Sequence, residues 1–143
     1  MPKPNDKIGD YTLKSKIGRG AFGVVWLAEK EGLIKTDFAL KIPNEFDVDL
    51  ALVEREAVLW KKASGHQNVL PIIEAKLYDE QVVIVSEYVS GGTLQDLIDK
   101  LKADNQLLDT EKSVELISGI LSGLQHLHSK NLVCNFNLSV PKS

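Results

Sequence analysis

Three glycines and a lysine are the residues of this chain that are best suited to chemistry. Gly18, Gly20, Gly23 and Val25 fit the pattern G-x-G-x-x-G-x-V. A glycine has no side chain to keep phosphate oxygens away from the backbone, so such a loop can cradle a nucleotide. The flanking segments read as strands and no helix follows the glycines, which disfavours a dinucleotide-binding turn. Glycine-rich hairpin turns are common, so the glycines alone are weak evidence for a phosphate site.

Lys41 lies on the next predicted strand and would place its ammonium group on the phosphates of a nucleotide. A glutamate on the following helix would hold the lysine in position, and Glu54 and Glu56 are the candidates. The two are separated by roughly 200° around a helix, so they cannot both face the lysine. The alternative is that both are solvated, because charge pairs on helices are weak signals.

The elements that must position these groups follow from hydrophobic periodicity and from breaks at Gly, Pro and Asp. The pattern predicts strands over residues 11–17, 24–29, 38–42, 72–78 and 81–88, of which the last two form a hairpin. It predicts helices over residues 51–63, 93–103 and 109–129, with Asp49, Thr93 and Asp109 suited to their starts. Strands with one inserted helix, followed by further helices, indicate an α+β fold.

Composition narrows the class of protein. The 143 residues are 43% hydrophobic and 26% charged, which is typical of one globular domain. A net charge of -3 gives no reason to expect nucleic acid or an acidic membrane as a partner. Cys134 is the only cysteine, and neither a signal peptide nor a membrane-spanning run is present in the sequence, so we expect a cytoplasmic protein.

The motifs occur in a fixed order: the glycine pattern, then Phe38, Ala39, Leu40 and Lys41, the helix glutamate, and the segments 66–70 and 86–92. In this order and spacing, residues 8–133 resemble the eukaryotic-like serine/threonine protein kinase family. The resemblance implies a small lobe over 9–89 with a five-stranded antiparallel sheet, one helix and a hinge, followed by the start of a large lobe with two helices over 90–143. Residues 1–8 are polar and contain two prolines, so we expect a flexible arm there, and the end of the 90–143 segment forms a divergent tail for which a C-terminal strand is predicted below.

The same resemblance implies a site for ATP. Glu56 rather than Glu54 would hold Lys41, because its distance along the chain from His66 fits the family. The phosphates would lie at the three glycines, and Thr93 would contact the ribose. Side chains or backbone groups that would enclose or bond the adenine belong to Ile17, Val25, Ala39, Ser86, Glu87 and Val89.

After Val133 the chain departs from that family. A kinase continues with H-R-D, whereas here Cys134, Asn135 and Phe136 follow, Leu138 replaces an expected lysine, and no D-F-G appears. Those segments supply the catalytic aspartate and the magnesium ligands of a kinase. The sequence therefore predicts no catalytic residues, no intact magnesium site and weak ATP binding at most.

Three interpretations of the function stay open. The first is a non-catalytic kinase-like protein that acts through binding or self-association. The second is a serine/threonine protein kinase completed by sequence that is not present in this chain. The third is a relic whose reading frame changed at Cys134.

The C-terminal third of the chain suggests partners. The predicted helix 109–129 is apolar on more than one face, which is typical of a buried helix. Apolar residues alternate with polar ones from Leu132 to Val140 and predict a strand that pairs with another strand. We expect a homo-oligomer, with a domain-swapped dimer as one form, or association with another kinase. His126 and His128 point to different helix faces, so no metal site is predicted.

Overall fold

One antiparallel sheet holds the strands of the computed structural model, which describes residues 2–20, 23–44 and 49–132. The sheet order is β1-β2-β3-β4-β6-β5. The six strands found among the described residues are β1 Lys7–Ile8, β2 Tyr11–Gly20, β3 Gly23–Lys30, β4 Thr36–Pro43, β5 Ile72–Tyr78 and β6 Gln81–Glu87. Helices α1 Leu50–Ala63, α2 Leu94–Ala103 and α3 Thr110–Ser129 complete the described elements. The predicted α+β fold is confirmed.

The first strand lies within residues 1–8, the segment for which the sequence predicts a flexible arm. Ile8 pairs with Tyr11 in the sheet and is buried. The backbone N–H of Asn5 donates to the carbonyl of Leu13 at 2.8 Å, and Leu13 donates back to Asp6 at 2.9 Å. The sequence did not predict this strand, because two prolines and a strand of only two residues give no periodic pattern.

The core lies on one face of the sheet. Trp26, Leu40 and Val85 pair with one another across β3, β4 and β6, and all three are buried. Tyr11 on β2 donates a hydrogen bond to Glu74 on β5, although these strands stand four places apart in the sheet order. The sheet must therefore curl so that its two ends approach each other.

The β5–β6 hairpin turns at Asp79 and Glu80, as predicted. Their φ angles are 47° and 66°, so both central residues are left-handed, as in a type I′ turn. This turn follows the right-handed twist of the flanking strands, which explains why two non-glycine residues accept the conformation.

The chain divides into two compact units, and the first one contains the sheet and α1. It comprises Met1–Ser64 and Leu70–Tyr88, whereas the second comprises Gly65–Val69 and Val89–Ser143. The short segment 65–69 thus leaves the first unit between α1 and β5. Asp49 is the N-cap of helix α1, and its side chain accepts hydrogen bonds from the backbone N–H groups of Ala51 and Leu52.

The second unit contains α2, α3 and the segment 65–69. A Cβ on Gly123 of α3 would lie 2.9 Å from the carbonyl oxygen of Asn68, so the glycine lets this segment approach the helix closely. Ser122 Oγ lies 3.3 Å from His66 Nε2, and the His66 and His126 rings stack at 4.9 Å.

Three further results concern the sequence predictions. The predicted C-terminal strand, with Cys134, Phe136 and Leu138, falls outside the described residues. Within the described ranges, no helix is long and apolar enough to cross a membrane. In the same ranges, no group of three or more His, Cys, Asp or Glu side chains is placed to hold a metal ion.

Candidate nucleotide-binding site

The register of the sheet places most of the predicted site on one face. Gly18 pairs with Val25, Val25 with Lys41, and Lys41 with Ile84, which makes one row across four strands. Directly paired residues of antiparallel strands point to the same side of a sheet. Ala39 shares this face because it lies two residues from Lys41 on the same strand. The face is opposite to the one that carries the core.

A second row on the same face lies next to the first. Leu27 pairs with Ala39, and Ala39 pairs with Ser86. Ala39 and Ser86 are both buried. The Ser86 hydroxyl donates to the Glu87 carbonyl at 3.3 Å. A carbonyl oxygen has two lone pairs, so this contact leaves Glu87 able to accept a further hydrogen bond.

Ile17 stands apart from these rows. The pairing of β2 with β3 shifts between Lys16 and Gly18, which leaves Ile17 in a bulge. Its side chain is 44% exposed. The structure therefore brings Ile17 beside the first row, at Gly18, but outside the regular pairing.

Two of the glycines have different surroundings. A Cβ on Gly18 would meet Val25 at 3.6 Å, an ordinary van der Waals distance, so the local packing does not require glycine there. Gly23 has a φ of 149°, and a Cβ on it would lie 2.3 Å from the carbonyl oxygen of Ile42. Gly23 is thus needed for the close approach of β3 and β4. Residues 21 and 22 between the strands lie outside the described residues.

Lys41 and Glu56 form the charged pair of this face. Lys41 Nζ donates to Glu56 Oε1 at 2.5 Å. The side chains are 24% and 46% exposed, so solvent screens their attraction and the pair contributes at most about 1 kcal/mol to stability. Glu54 is exposed. Of the two candidate glutamates, the structure brings Glu56 to the lysine.

Val89 and Thr93 belong to the second unit. Thr93 is the N-cap of α2, and its hydroxyl oxygen accepts the backbone N–H of Asp96 at 3.1 Å. The Asp96 carboxylate in turn accepts the Thr93 backbone N–H at 2.7 Å. The Thr93 backbone N–H, followed by the Thr93 hydroxyl, which donates to the same carboxylate oxygen at 2.7 Å, lowers the pKa of Asp96 below its ordinary value. The contact of Thr93 with a ribose stays a prediction.

Sequence reasoning missed a set of contacts at the end of α1. Trp60 Nε1 donates to the carbonyl of Leu70 at 2.7 Å. The Ser64 hydroxyl donates to the Trp60 carbonyl at 3.0 Å and accepts the Ile72 backbone N–H at 3.2 Å. No sequence pattern links an indole to a carbonyl ten residues away, so these contacts had no signal in the sequence.

The residues present fit part of a nucleotide. Lys41 offers one positive charge to phosphates, Gly18 leaves room for them, and Val25 and Ala39 offer apolar surface to a base. In the part of the chain that the structure describes, no cluster of acidic ligands accompanies them that could hold a magnesium ion.

Comparison with known proteins identifies protein kinases as the relatives of this chain. The family model described as "Protein kinase domain" matches residues 11–135. The chain is 35% identical to the serine/threonine-protein kinase Nek8 of Danio rerio, over 84% of this chain and 17% of that protein. It is 36% identical to a probable myosin light chain kinase of Dictyostelium discoideum, over 88% of this chain and 38% of that protein. It is 34% identical to the serine/threonine-protein kinase CTR1 of Arabidopsis thaliana, over 85% of this chain and 15% of that protein.

Proposed function

Because this chain belongs to the protein kinase family, we propose that it binds an adenine nucleotide weakly and does not transfer phosphate by itself. The observation that carries the proposal is the contact of Lys41 with Glu56, on the sheet face that also holds Val25 and Ala39. ATP, when bound, would supply the phosphates whose charge Lys41 offsets. Glu56 would keep the lysine from turning toward solvent, and the apolar face would receive the base.

The weak affinity follows from what the described residues offer. One ammonium group and an apolar face are present, whereas a magnesium ion would have no acidic ligand cluster in the described ranges. Each missing polar contact removes about 1 kcal/mol of binding free energy, and three such losses reduce the affinity by about a hundredfold.

The absence of phosphotransfer is proposed from residue types. Phosphotransfer by a kinase uses an aspartate that accepts the proton of the attacking hydroxyl. At the matching place this chain has Cys134, Asn135 and Phe136, and Phe136, which stands where the aspartate is expected, has no group that can accept a proton.

The alternative function is ATP-dependent phosphotransfer by a serine/threonine kinase that further sequence completes. The chain spans between 15% and 38% of the length of the three relatives compared above, each of which is named a kinase. Radiolabelled phosphate transfer by the 143-residue chain tests the proposed lack of activity directly. Incorporation above that of Lys41→Met would overturn the proposal, whereas transfer only by a longer protein that contains this chain would favour the alternative.

Binding itself is tested by calorimetry with ATP and Mg²⁺ against three variants. We expect a dissociation constant of about 0.1–1 mM, loss of binding in Lys41→Met and about tenfold weaker binding in Glu56→Gln. Glu54→Gln is the matched control, because it removes the same charge from an exposed position two residues away. Equal effects of Glu54→Gln and Glu56→Gln would contradict the assigned roles. Micromolar, magnesium-dependent binding would contradict the weak affinity.

A second copy of the chain is the partner that α3 favours. Val114, Ile117 and Leu121 are each more than half exposed, and they follow the spacing i, i+3 and i+7. This is the spacing of the seam between two packed helices, and one helix can offer it to an identical helix in a symmetric dimer. The proposal therefore includes self-association through α3, with another kinase as the alternative partner.

Sedimentation tests the self-association. We expect a dimer at tens of micromolar and a monomer when Ile117 is replaced by Asp. Leu107→Asp is the matched control, because Leu107 is 94% exposed but precedes α3. A monomeric parent chain, or equal effects of the two variants, would contradict the interface. The proposal also keeps the cytoplasm as the location, which a single cysteine supports.

A further inference from the structure

Helix α1 is held to the sheet by little apolar burial. The fully buried side chains of this helix are those of Ala57 and Ala63, which are both small, and the one large aromatic side chain, that of Trp60, is partly buried. Leu52, Val58 and Leu59 are exposed. A helix that packs through small side chains meets few steric limits to rotation about its axis, because large residues that interlock with the neighbouring surface are what fix the rotation. Some other contact must fix the direction in which Glu56 points.

Trp60, in the last turn of α1, and Ser64, which caps the end of the helix, supply that contact. The indole N–H of Trp60 bonds the Leu70 carbonyl at 2.7 Å. The Ser64 hydroxyl joins the Trp60 carbonyl to the backbone N–H of Ile72, at 3.0 and 3.2 Å. Ile72 is the first residue of β5 and pairs with Ser86 on β6. We call Trp60 and Ser64 the α1 anchor, because together they tie the helix to the first residue of β5 and to the segment that leads into it.

Glu56 is connected to the sheet in two ways: directly by its contact with Lys41 on β4, and through its own helix by the α1 anchor. Glu56 precedes Trp60 by four residues, so the two side chains are separated by only about 40° around the helix. Lys41 lies on β4 and pairs with Ile84 on β6, the strand that also pairs with β5. The anchor thus connects the helix to β5, and β5 is joined through β6 to the strand that carries Lys41.

We propose that Trp60 and Ser64 are positioning residues of the nucleotide site, which hold α1 in the rotation that directs Glu56 at Lys41. They act through Glu56 and need not touch the nucleotide. The inference rests on the proposed nucleotide binding, although the contact of Glu56 with Lys41 can be measured without any nucleotide.

The first experiment uses no nucleotide. The folded 143-residue chain is treated with acetic anhydride, and mass spectrometry compares the acylation rate of Lys41 with that of exposed Lys102. We expect Trp60→Phe, which keeps an aromatic ring but removes the N–H, to raise the Lys41 rate about threefold, the effect of one lost hydrogen bond. Ser64→Ala should act in the same direction, Ser64→Thr should restore the parent rate, and Glu54→Gln should leave it unchanged.

The second experiment separates a positioning role from a general loss of stability. ATP affinity with Mg²⁺ is measured for Trp60→Phe, Glu56→Gln and the double variant. If Trp60 acts through Glu56, each single variant weakens binding about three- to tenfold and the double variant is no weaker than Glu56→Gln. A merely structural role would lower the affinity by the same factor in both backgrounds.

The outcomes distinguish the two proposals. An unchanged Lys41 rate in both Trp60→Phe and Ser64→Ala, or independent losses of ATP affinity in the double variant, overturns the anchor. If no variant binds ATP but the Lys41 rate still rises, nucleotide binding is wrong and the anchor is supported. If Trp60→Phe does not fold, Ser64→Ala with its rescue by Ser64→Thr decides the question alone.

Discussion

Two glutamates of the same sheet-and-helix unit have opposite surroundings. Glu56 meets Lys41 near solvent, whereas Glu74 accepts hydrogen bonds from the hydroxyls of Tyr11, at 2.9 Å, and Tyr78, at 3.0 Å. Tyr11 is buried, so its hydroxyl would have no water to replace a lost partner. The comparison indicates that the Glu74 cluster stabilises the fold, while the Glu56 pair contributes little stability and is available for function.

The pKa values within the Glu74 cluster reflect its burial and its hydrogen bonds. Burial, followed by the hydrogen bond to Glu74, raises the pKa of Tyr78 to about 12 and raises that of Tyr11 as well. Burial also pushes the pKa of Glu74 upward. The hydrogen bonds from both tyrosines and the charges of Lys30 and Lys76 outweigh it and hold that pKa below its ordinary value. The ionised carboxylate and the protonated tyrosines stabilise each other.

The largest expected effect is that of Glu74→Leu. It leaves two partly or fully buried hydroxyls without their acceptor, so we expect the free energy of unfolding to fall by about 2–4 kcal/mol. Urea unfolding measures the loss, and Glu56→Leu is the contrasting variant, with an expected change below about 1 kcal/mol. Equal losses in the two variants would remove the distinction between the glutamates.

Gly9→Ala tests the same cluster without altering any of its members. Gly9 has a φ of 55°, and a Cβ on it would lie 2.2 Å from Cε1 of the Tyr78 ring. The ring would have to move away from Glu74, and we expect a loss of about 1–3 kcal/mol in urea unfolding. Gly65→Ala is the control, because Gly65 also has a positive φ, of 99°, but no atom within 4 Å of its Cβ position. Similar losses would show that backbone strain alone is responsible.

The pH dependence of stability gives a third test. The raised pKa of Tyr78 means that its contribution is complete below its ordinary value of 10.0 and is lost as the pH rises toward about 12. The lowered pKa of Glu74 means that its contribution is present above the ordinary value of 4.5 and is lost as the pH falls through the folded-state value.

Urea midpoints measured across both pH ranges check this dependence, with tyrosinate absorbance as a direct readout of the hydroxyls. Tyr78→Phe should reduce the loss of stability at alkaline pH. If the loss of stability at alkaline pH is the same in Tyr78→Phe as in the parent chain, another group is responsible for that loss.

The smallest expected effect on stability is that of Glu56→Gln. The pair is partly exposed, so the free energy of unfolding should change by less than about 0.5 kcal/mol, while the Lys41 acylation rate rises. Thermal unfolding beside the acylation assay measures both quantities in one preparation. A large loss of stability together with an unchanged acylation rate would reverse the roles assigned to the two glutamates.

Sequence patterns were sufficient for most of the fold because its elements carry local signals. The continuous apolar run 82–85 and the Asp79–Glu80 turn mark the hairpin, and the caps Thr93 and Asp109 mark the starts of helices. Family spacing pointed to Glu56, and the structure places that glutamate at Lys41.

The features that were missed depend on contacts distant in sequence or on elements too short to have a period. Tyr11 and Glu74 are 63 residues apart, and nothing near either residue marks the other as its partner. The strand Lys7–Ile8 has two residues, fewer than an alternating pattern needs. The anchor at Trp60 and Ser64 joins side chains to backbone groups, and any sequence supplies those groups.

The passage of residues 65–69 into the second unit has a consequence for the order of events during synthesis. The sheet strands and α1 are complete when residue 88 has left the ribosome, but the helix surface that receives His66 and Asn68 is made only with α3. At about 5–20 residues per second, the segment would wait roughly 3–12 seconds for the end of that helix. During that interval the first unit can fold, but residues 65–69, which lie between α1 and β5 in the sequence, do not yet have α3 to pack against. This is the interval in which a chaperone would act on the nascent chain.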